Sequence, residues 1–498
     1  MRERLFRYVN EFNAHDGEYY KQDVPNALAA EFLLENIPLI DIPDKEIERI
    51  YYFRYWSFRK HIKSTEDGML ITEFLPPVPW AGKHNAIVAA AGHHIAEGRW
   101  LKCGRRLIED YAAFWLSGKG ASQAYGSWLL YAIYEYCRHI GDDHLGVENL
   151  SLMCRYYEEM ESAHRTECGL LWSVDGEDAM EFSISGADKD LNLTRGLRPS
   201  LNCYMAASAL AIAYFAEKAG EREIAARYRE KHEVLKEKIN TLLFDGEFYK
   251  AIHNADLSPD LEKLPDLQNA RELVGYIPWC FLLPPEGRER AFAHLKTADG
   301  FLSPIGLCTA ERRHPRYLYP VRHECLWNGY VWPFATSQTL RAVENLLHFY
   351  SQSEITREDY YAMLLAYARS HRRRDEDGRE LPWIDEVMHP ETGEWSSREI
   401  MKNGGWKKEL GGFERGKDYN HSTFCDHVLS GLLGIGAEGG RPTVSPLIPK
   451  DWEYFAVENL YIGDRRYRVI YDKTGEKYGC GKGISVFEIS SDRKETRI

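Results

Sequence analysis

The chain of 498 residues is 44% hydrophobic, enough for a large core, and carries a formal net charge of −13 with a pI near 5.8. That charge excludes a protein built to hold a phosphate backbone or an anionic bilayer, so neither nucleic acid nor membrane is expected as a partner. Ten cysteines stand singly, without disulfide-framework or metal spacing, and Met1-Arg-Glu-Arg-Leu-Phe-Arg-Tyr8 lacks the apolar run of a secretory signal. The reading is therefore cytoplasmic, with no metal or other cofactor; a homo-oligomer stays open.

In chain order, the first fifty residues look peripheral, with one helix-like run from Pro25. Tyr51-Tyr-Phe-Arg54-Tyr-Trp56-Ser-Phe-Arg59-Lys60-His61 then alternates aromatics with cations, as one wall of a cleft or as core packing with cation–π contacts. Prolines break the next stretch, Thr72 to Asn85, which includes Trp80 and ends in small and polar residues suited to a site. Apolar residues at three- and four-residue spacing predict helices over 86–96, 100–116, 122–139 and 147–164, then an almost wholly apolar helix over 201–218 and a charged-faced one over 222–243. The alternation recurs at 272–283 with 286–296 and at 332–350 with 357–372, before a last apolar helix at 421–433. Inner and outer helices in pairs, joined by long loops, predict an (α/α)6 barrel whose loops gather at one pocket. Past Gly434 the period falls to two, so 436–498 is read as a small antiparallel β region packed on a barrel domain spanning 1–435.

Two carboxylate loops carry the chemistry. Leu381-Pro-Trp383-Ile-Asp385-Glu386-Val-Met-His389-Pro-Glu-Thr-Gly393 sets acids among tryptophans and closes in a turn. Upstream, Trp172-Ser-Val-Asp175-Gly-Glu177-Asp178-Ala-Met-Glu181-Phe-Ser183 offers a second set. One acid to protonate a leaving oxygen and one base to activate water are what cleavage of a glycosidic bond requires. Glu386 is the candidate base, with Asp385 its rival. Glu181 is the candidate acid, because the apolar stretch after it favours a raised pKa. Arg54, Trp56, Trp80, Asn85, Asp178, Trp327, Trp332 and His421 are the candidate sugar contacts: planar rings to stack on a pyranose, with amide, imidazole and charged groups for its hydroxyls.

Taken together, Tyr51-Tyr-Phe-Arg-Tyr-Trp56, Trp80-Ala-Gly-Lys-His-Asn85, Trp327-Asn-Gly-Tyr-Val-Trp-Pro333 and Glu386-Val-Met-His-Pro-Glu-Thr-Gly393 resemble glycoside hydrolase family 63, the mannosylglycerate hydrolase and processing α-glucosidase group, over about residues 45–440. The resemblance implies an (α/α)6 barrel and an inverting mechanism, with its base on Glu386. The family's acid is an Asp four residues after a Glu in Glu-Ser-Gly-x-Asp. Here that spacing falls on Glu177-Asp-Ala-Met-Glu181, with Asp-Ala for Ser-Gly and Glu for Asp, so Asp178 stays the alternative acid. The expectation is an inverting, exo-acting hydrolase of a small α-linked glycoside. A phosphorylase, a histidine-based epimerase or isomerase, or a non-catalytic sugar-binding barrel are the competing readings.

Overall fold

The computed structural model describes residues 1–186, 195–252, 269–321, 323–492 and 494–498, and it is mainly helical with a small antiparallel sheet. In the N-terminal part the helices are α1 (Arg2–Ala14), α2 (Ala29–Asn36), α3 (Lys45–Phe58), α4 (Ala91–Gly98), α5 (Gly104–Leu116), α6 (Leu129–Ile140), α7 (His144–Glu148) and α8 (Leu150–His164). Further on come α9 (Pro199–Ala219), α10 (Arg222–Leu242), the single turn α11 (Ile277–Cys280), α12 (Pro333–Phe349), α13 (Arg357–Ser370) and α14 (Ser396–Asn403).

Burial divides them as the sequence periodicity directs. Helix α9 is apolar on nearly every side and is buried along most of its length, opening with Pro199 in its first turn and ending at Gly220, whose φ of 79° continues the chain in the left-handed region. Its partner α10 buries only one stripe, Ala225, Tyr228, His232, Leu235 and Ile239, and turns its charges outward. Helix α4 packs on α6, α6 on α9, α9 on α11, α11 on α12, and α12 on a π-helical turn at His427–Leu432. That turn returns to α4 through Glu97, whose carboxylate accepts from the amides of Phe424, Cys425 and Asp426. A buried acid from one helix thus satisfies the free N–H groups at the start of another.

Several sequence expectations change. The first fifty residues are not peripheral: Leu5, Val9, Leu33 and Ile40 are fully buried and α1 lies against α3. Their apolar residues form runs too short to announce themselves. The helix expected from 421 begins only at Cys425, after a bend over 421–424 whose carbonyls at Ser422 and Thr423 accept from Arg54 and Ser337. The helix expected over 286–296 is a 3-10 run at Glu289–Lys296, and the one expected over 122–139 starts at Leu129.

Three hairpins, β2–β3 (Ile62–Thr65, Gly68–Ile71), β4–β5 (Arg372–Arg374, Glu380–Pro382) and β6–β7 (Ile435–Glu438, Arg441–Val444), decorate the helices. The larger sheet holds β8 (Tyr454–Ile462), β9 (Arg465–Asp472), β10 (Gly483–Ile489) and β11 (Glu495–Arg497), all antiparallel. Its first strand comes from the other end of the chain: β1 (Leu39–Asp41) pairs with β8, Ile40 opposite Val457. Next to that pairing β8 bulges between Val457 and Leu460, and Asn459, at φ 57°, turns its amide to the carbonyl of Ile37 at 2.9 Å.

Candidate active site

The loops at one end of the helices enclose a cavity of about 320 Å³. Glu181 and Glu386 both line it, together with Trp80, Trp332 and His421. Each acid arrives on a constrained segment. Glu181 sits between Ala179 and Phe182, at φ 57° and 60°, and backbone in that region is held by its surroundings rather than by preference. The surroundings here are Asp175, whose Oδ2 accepts from the amide and hydroxyl of Ser183, and Glu272, which accepts from the amide of Ile184. Glu386 follows Pro382 and Trp383. Its segment is tied to Val331 through reciprocal backbone bonds from Met388, and to the next loop by the amide of Asp418 donating to Ile384.

Burial raises both acids, but their hydrogen-bond partners differ. Burial pushes both carboxyls up to about 7, each against partial relief from Arg415, and the proximity of Glu386 raises Glu181 further. Arg415 is hydrogen-bonded directly to Glu386 and donates to Glu324 at 3.1 Å and to the carbonyl of Leu410 at 2.9 Å. The two differ in partners: a guanidinium is hydrogen-bonded to Glu386, and among the described residues none is bonded to Glu181.

The remaining predicted contacts divide by position. Trp80 and Trp332 present rings to the cavity; Trp332 is anchored by its indole N–H on Leu326 and stacks on Trp327 at 4.8 Å. Trp327 is thus behind the wall, and its amide donates to the carbonyl of Glu181. Asn85 also stands behind it, its side chain stapling the loop of Trp80 by bonds with Val78, Phe74 and Pro76. Arg54 and Trp56 do not reach the cavity. Arg54 donates to Ser422 and Tyr367, fixing the segment after His421, and Trp56 bonds Asn13 with Lys60 over its ring at 3.9 Å. Asp178 is committed to Arg198 at 2.6 Å and to Ser200, away from the cavity lining. The dense alternation of aromatics and cations that suggested a cleft wall in 51–61 is interhelical packing.

Sequence reasoning missed four contributors. Glu73, Glu324 and Tyr419 line the cavity, and Arg415 stands behind Glu386. Glu73 is 4% exposed; its Oε1 lies 3.4 Å from Nδ1 of His421, which is also bonded to Tyr419, while its Oε2 has no protein partner. Each is a lone polar residue in an irregular loop, and only the fold brings them together. On the surface, Glu66, Asp67 and His84 also converge, but Lys83 and Lys119 pair with Asp67, which makes an ion-pair network of that cluster.

The cavity thus brings paired carboxylates and tryptophan rings together between loops. A family model, the mannosylglycerate hydrolase MGH1-like glycoside hydrolase domain, matches residues 83–422, and the chain belongs to that family. It is similar to a solved sialidase chain at 33% identity with a TM-score of 0.87, covering 99% of this chain and 43% of that one. This protein therefore spans less than half the length of that relative. The fold is also similar to the GH78 family rhamnosidase of Bacillus sp. GL1, at 13% identity and TM-score 0.54, over 88% of this chain and 40% of that one. The Streptomyces avermitilis α-L-rhamnosidase shares it at 13% identity and TM-score 0.50, over 91% of this chain and 37% of that one.

Proposed function

We propose that the protein is an inverting, exo-acting hydrolase of a small α-linked glycoside or oligosaccharide, working on an (α/α)6 ring of helices. Glu181 donates its proton to the glycosidic oxygen as the bond to the anomeric carbon breaks. Glu386 takes a proton from water, whose oxygen attacks that carbon from the opposite face. The observation that carries the reading is the asymmetric ion pairing: both carboxyls are raised to about 7 by burial, but Arg415 is bonded to Glu386 alone and favours its ionised form, while the neighbouring Glu386 charge favours the proton on Glu181. Trp80, Trp332 and His421 would frame the sugar, and Asn85, Trp327 and Arg54 would hold that frame in place. Residues 1–435 are the catalytic domain and 436–498 a β region that β1 ties to it. Ten free cysteines support the cytoplasm as its location, and no described helix is long and apolar enough to cross a membrane.

Proton NMR of a panel of α-linked glycosides tests the mechanism. Early release of the inverted anomer by the wild type, absent from Glu386→Gln, is the expected result. Release of the retained anomer overturns the assignment of a base, and a sugar phosphate formed only with added phosphate overturns hydrolysis.

A further inference from the structure

Three aromatic side chains outside the hydrophobic core meet on the surface near the cavity. Tyr19 and Phe413 are 59% and 43% exposed, with ring centroids 5.0 Å apart at 84°, and Trp406 meets Phe413 at 5.4 Å. They are held in place: Lys417 lies over Tyr19 at 5.4 Å, Arg398 over Trp406 at 5.2 Å, and the Tyr20 hydroxyl donates to the carbonyl of Phe413. Left-handed backbone accompanies each ring. Glu18, before Tyr19, has φ 45°, Trp406 has φ 53°, and Phe413 stands between Gly412 at 77° and Glu414 at 51°. Such backbone at non-glycine residues and apolar rings left in water both oppose folding, and both collect where a ligand is bound. The patch continues from the cavity. Leu410 lines the cavity three positions before Phe413, so their Cα atoms are at most about 11 Å apart, a distance that a short oligosaccharide spans. Trp80, a lining residue that is 38% exposed, stands at the mouth, with the guanidinium of Arg415 from the same loop 5.3 Å from its ring.

We infer that Tyr19 and Phe413 form an outer sugar-binding surface, which with Trp80 at the rim holds the leaving part of an α-linked oligosaccharide. The inference rests on the reading of the cavity as a site of exo-acting hydrolysis. An exo-acting enzyme encloses only the terminal ring, so everything beyond the scissile bond passes out through the mouth and crosses the rim. There a pyranose can lay its face of C–H groups on an aromatic face while its hydroxyls stay in water. Rings already fixed by cations and constrained backbone lose little freedom when a sugar settles on them. Binding energy gathered there, remote from the reacting carbon, is forgone by a truncated substrate, so the surface selects oligosaccharides over simple glycosides of the same terminal sugar.

Two measurements test it. The first compares kcat/KM on α-linked gluco- and manno-oligosaccharides of two to four rings with that on the nitrophenyl α-glycoside of the same terminal sugar. In the wild type kcat/KM is expected to rise by about 10-fold or more from two rings to four. The ratio of tetrasaccharide to nitrophenyl glycoside should fall by about 10-fold in Phe413→Ala and in Tyr19→Ala, with Phe413→Tyr restoring most of it. Phe349→Ala removes a 63% exposed ring elsewhere and should leave the ratio alone. No gain with length in the wild type, or equal loss on both substrates in Phe413→Ala, overturns the outer surface and leaves hydrolysis standing. The second measurement is independent of turnover: calorimetric titration of Glu386→Gln with the two tetrasaccharides, alone and combined with Phe413→Ala. Binding about 10-fold weaker in the double variant supports the surface whether or not the wild type hydrolyses the compound. Equal binding by both proteins, or binding by neither, overturns it.

Discussion

At the scale of single residues, the site is held against its own stability. Carboxyls with folded pKa near 7, set against about 4.3 in an unfolded chain, favour folding when protonated; that contribution is present below about pH 4.3 and lost as the pH rises through 7. Glu181→Gln should therefore raise the stability at pH 8 by on the order of 2 kcal/mol, seen as a higher Tm, and much less at pH 5; differential scanning calorimetry at the two pH values reads the difference. Arg415→Met removes the cation that lowers the Glu386 carboxyl against burial, so the acidic limb of the kcat/KM profile should move to higher pH. An unmoved limb would assign that ionisation to another group. Sequence alone brought Glu386 forward because Pro382 and Pro390 hold its segment out of a helix or central strand, and Glu181 because the apolar, turn-forming stretch after it favours a raised pKa. It gave no hint of Arg415, since nothing near Gly411-Gly-Phe-Glu-Arg415 says that the chain folds back on a residue 29 positions earlier.

At the scale of elements, the loop over 404–418 supplies two lining residues of the cavity and the cation behind Glu386. Trp406, Glu414 and Asp418 join Gly405, Gly411 and Gly412 at positive φ, and this winding delivers Glu409 and Leu410 to the cavity and Arg415 to Glu386. Two adjacent glycines separate strain from function. Alanine at 411 or 412 meets the same left-handed penalty of about 1 kcal/mol. The added Cβ at Gly412 meets nothing within 4 Å, whereas at Gly411 it would come within 2.5 Å of Cδ of Arg415. Both variants should melt lower, but only Gly411→Ala should also lose kcat and shift the pH profile. The long helices of this fold were legible because one stripe of apolar residues is visible in any window of the sequence. The short helix α14 and the β2–β3 hairpin were not, because their burial is decided by neighbours remote in sequence.

At the scale of the whole molecule, the N-terminal segment is a structural part of the site. Asp16, just past α1, is buried between Lys60 and Lys417, and Lys60 also pairs with Asp418 at 2.7 Å. The two ammonium groups hold the Asp16 carboxyl well below the usual range despite burial. Asp16→Asn should destabilise the protein by about 3 kcal/mol at neutral pH. A depressed carboxyl contributes stability above its unfolded pKa of about 3.9 and loses it as the pH falls further, so variant and wild type should converge in acid. Melting curves taken from pH 7 down to pH 3 would show a constant gap if the network did not matter. The misreading of residues 1–50 as peripheral has the same origin: their partners lie at 417–418 and 454–462, invisible to any local pattern.

The pairing of β1 with β8 also sets an order of events during synthesis. Ile40 leaves the ribosome more than four hundred residues before Val457, so this strand waits with an unsatisfied edge while the helical middle is made. The contact of Glu97 with the amides of residues 424–426 is likewise deferred. The protein cannot acquire its final shape piece by piece from the front, and chains released early by truncation should be ready clients for chaperones and proteases.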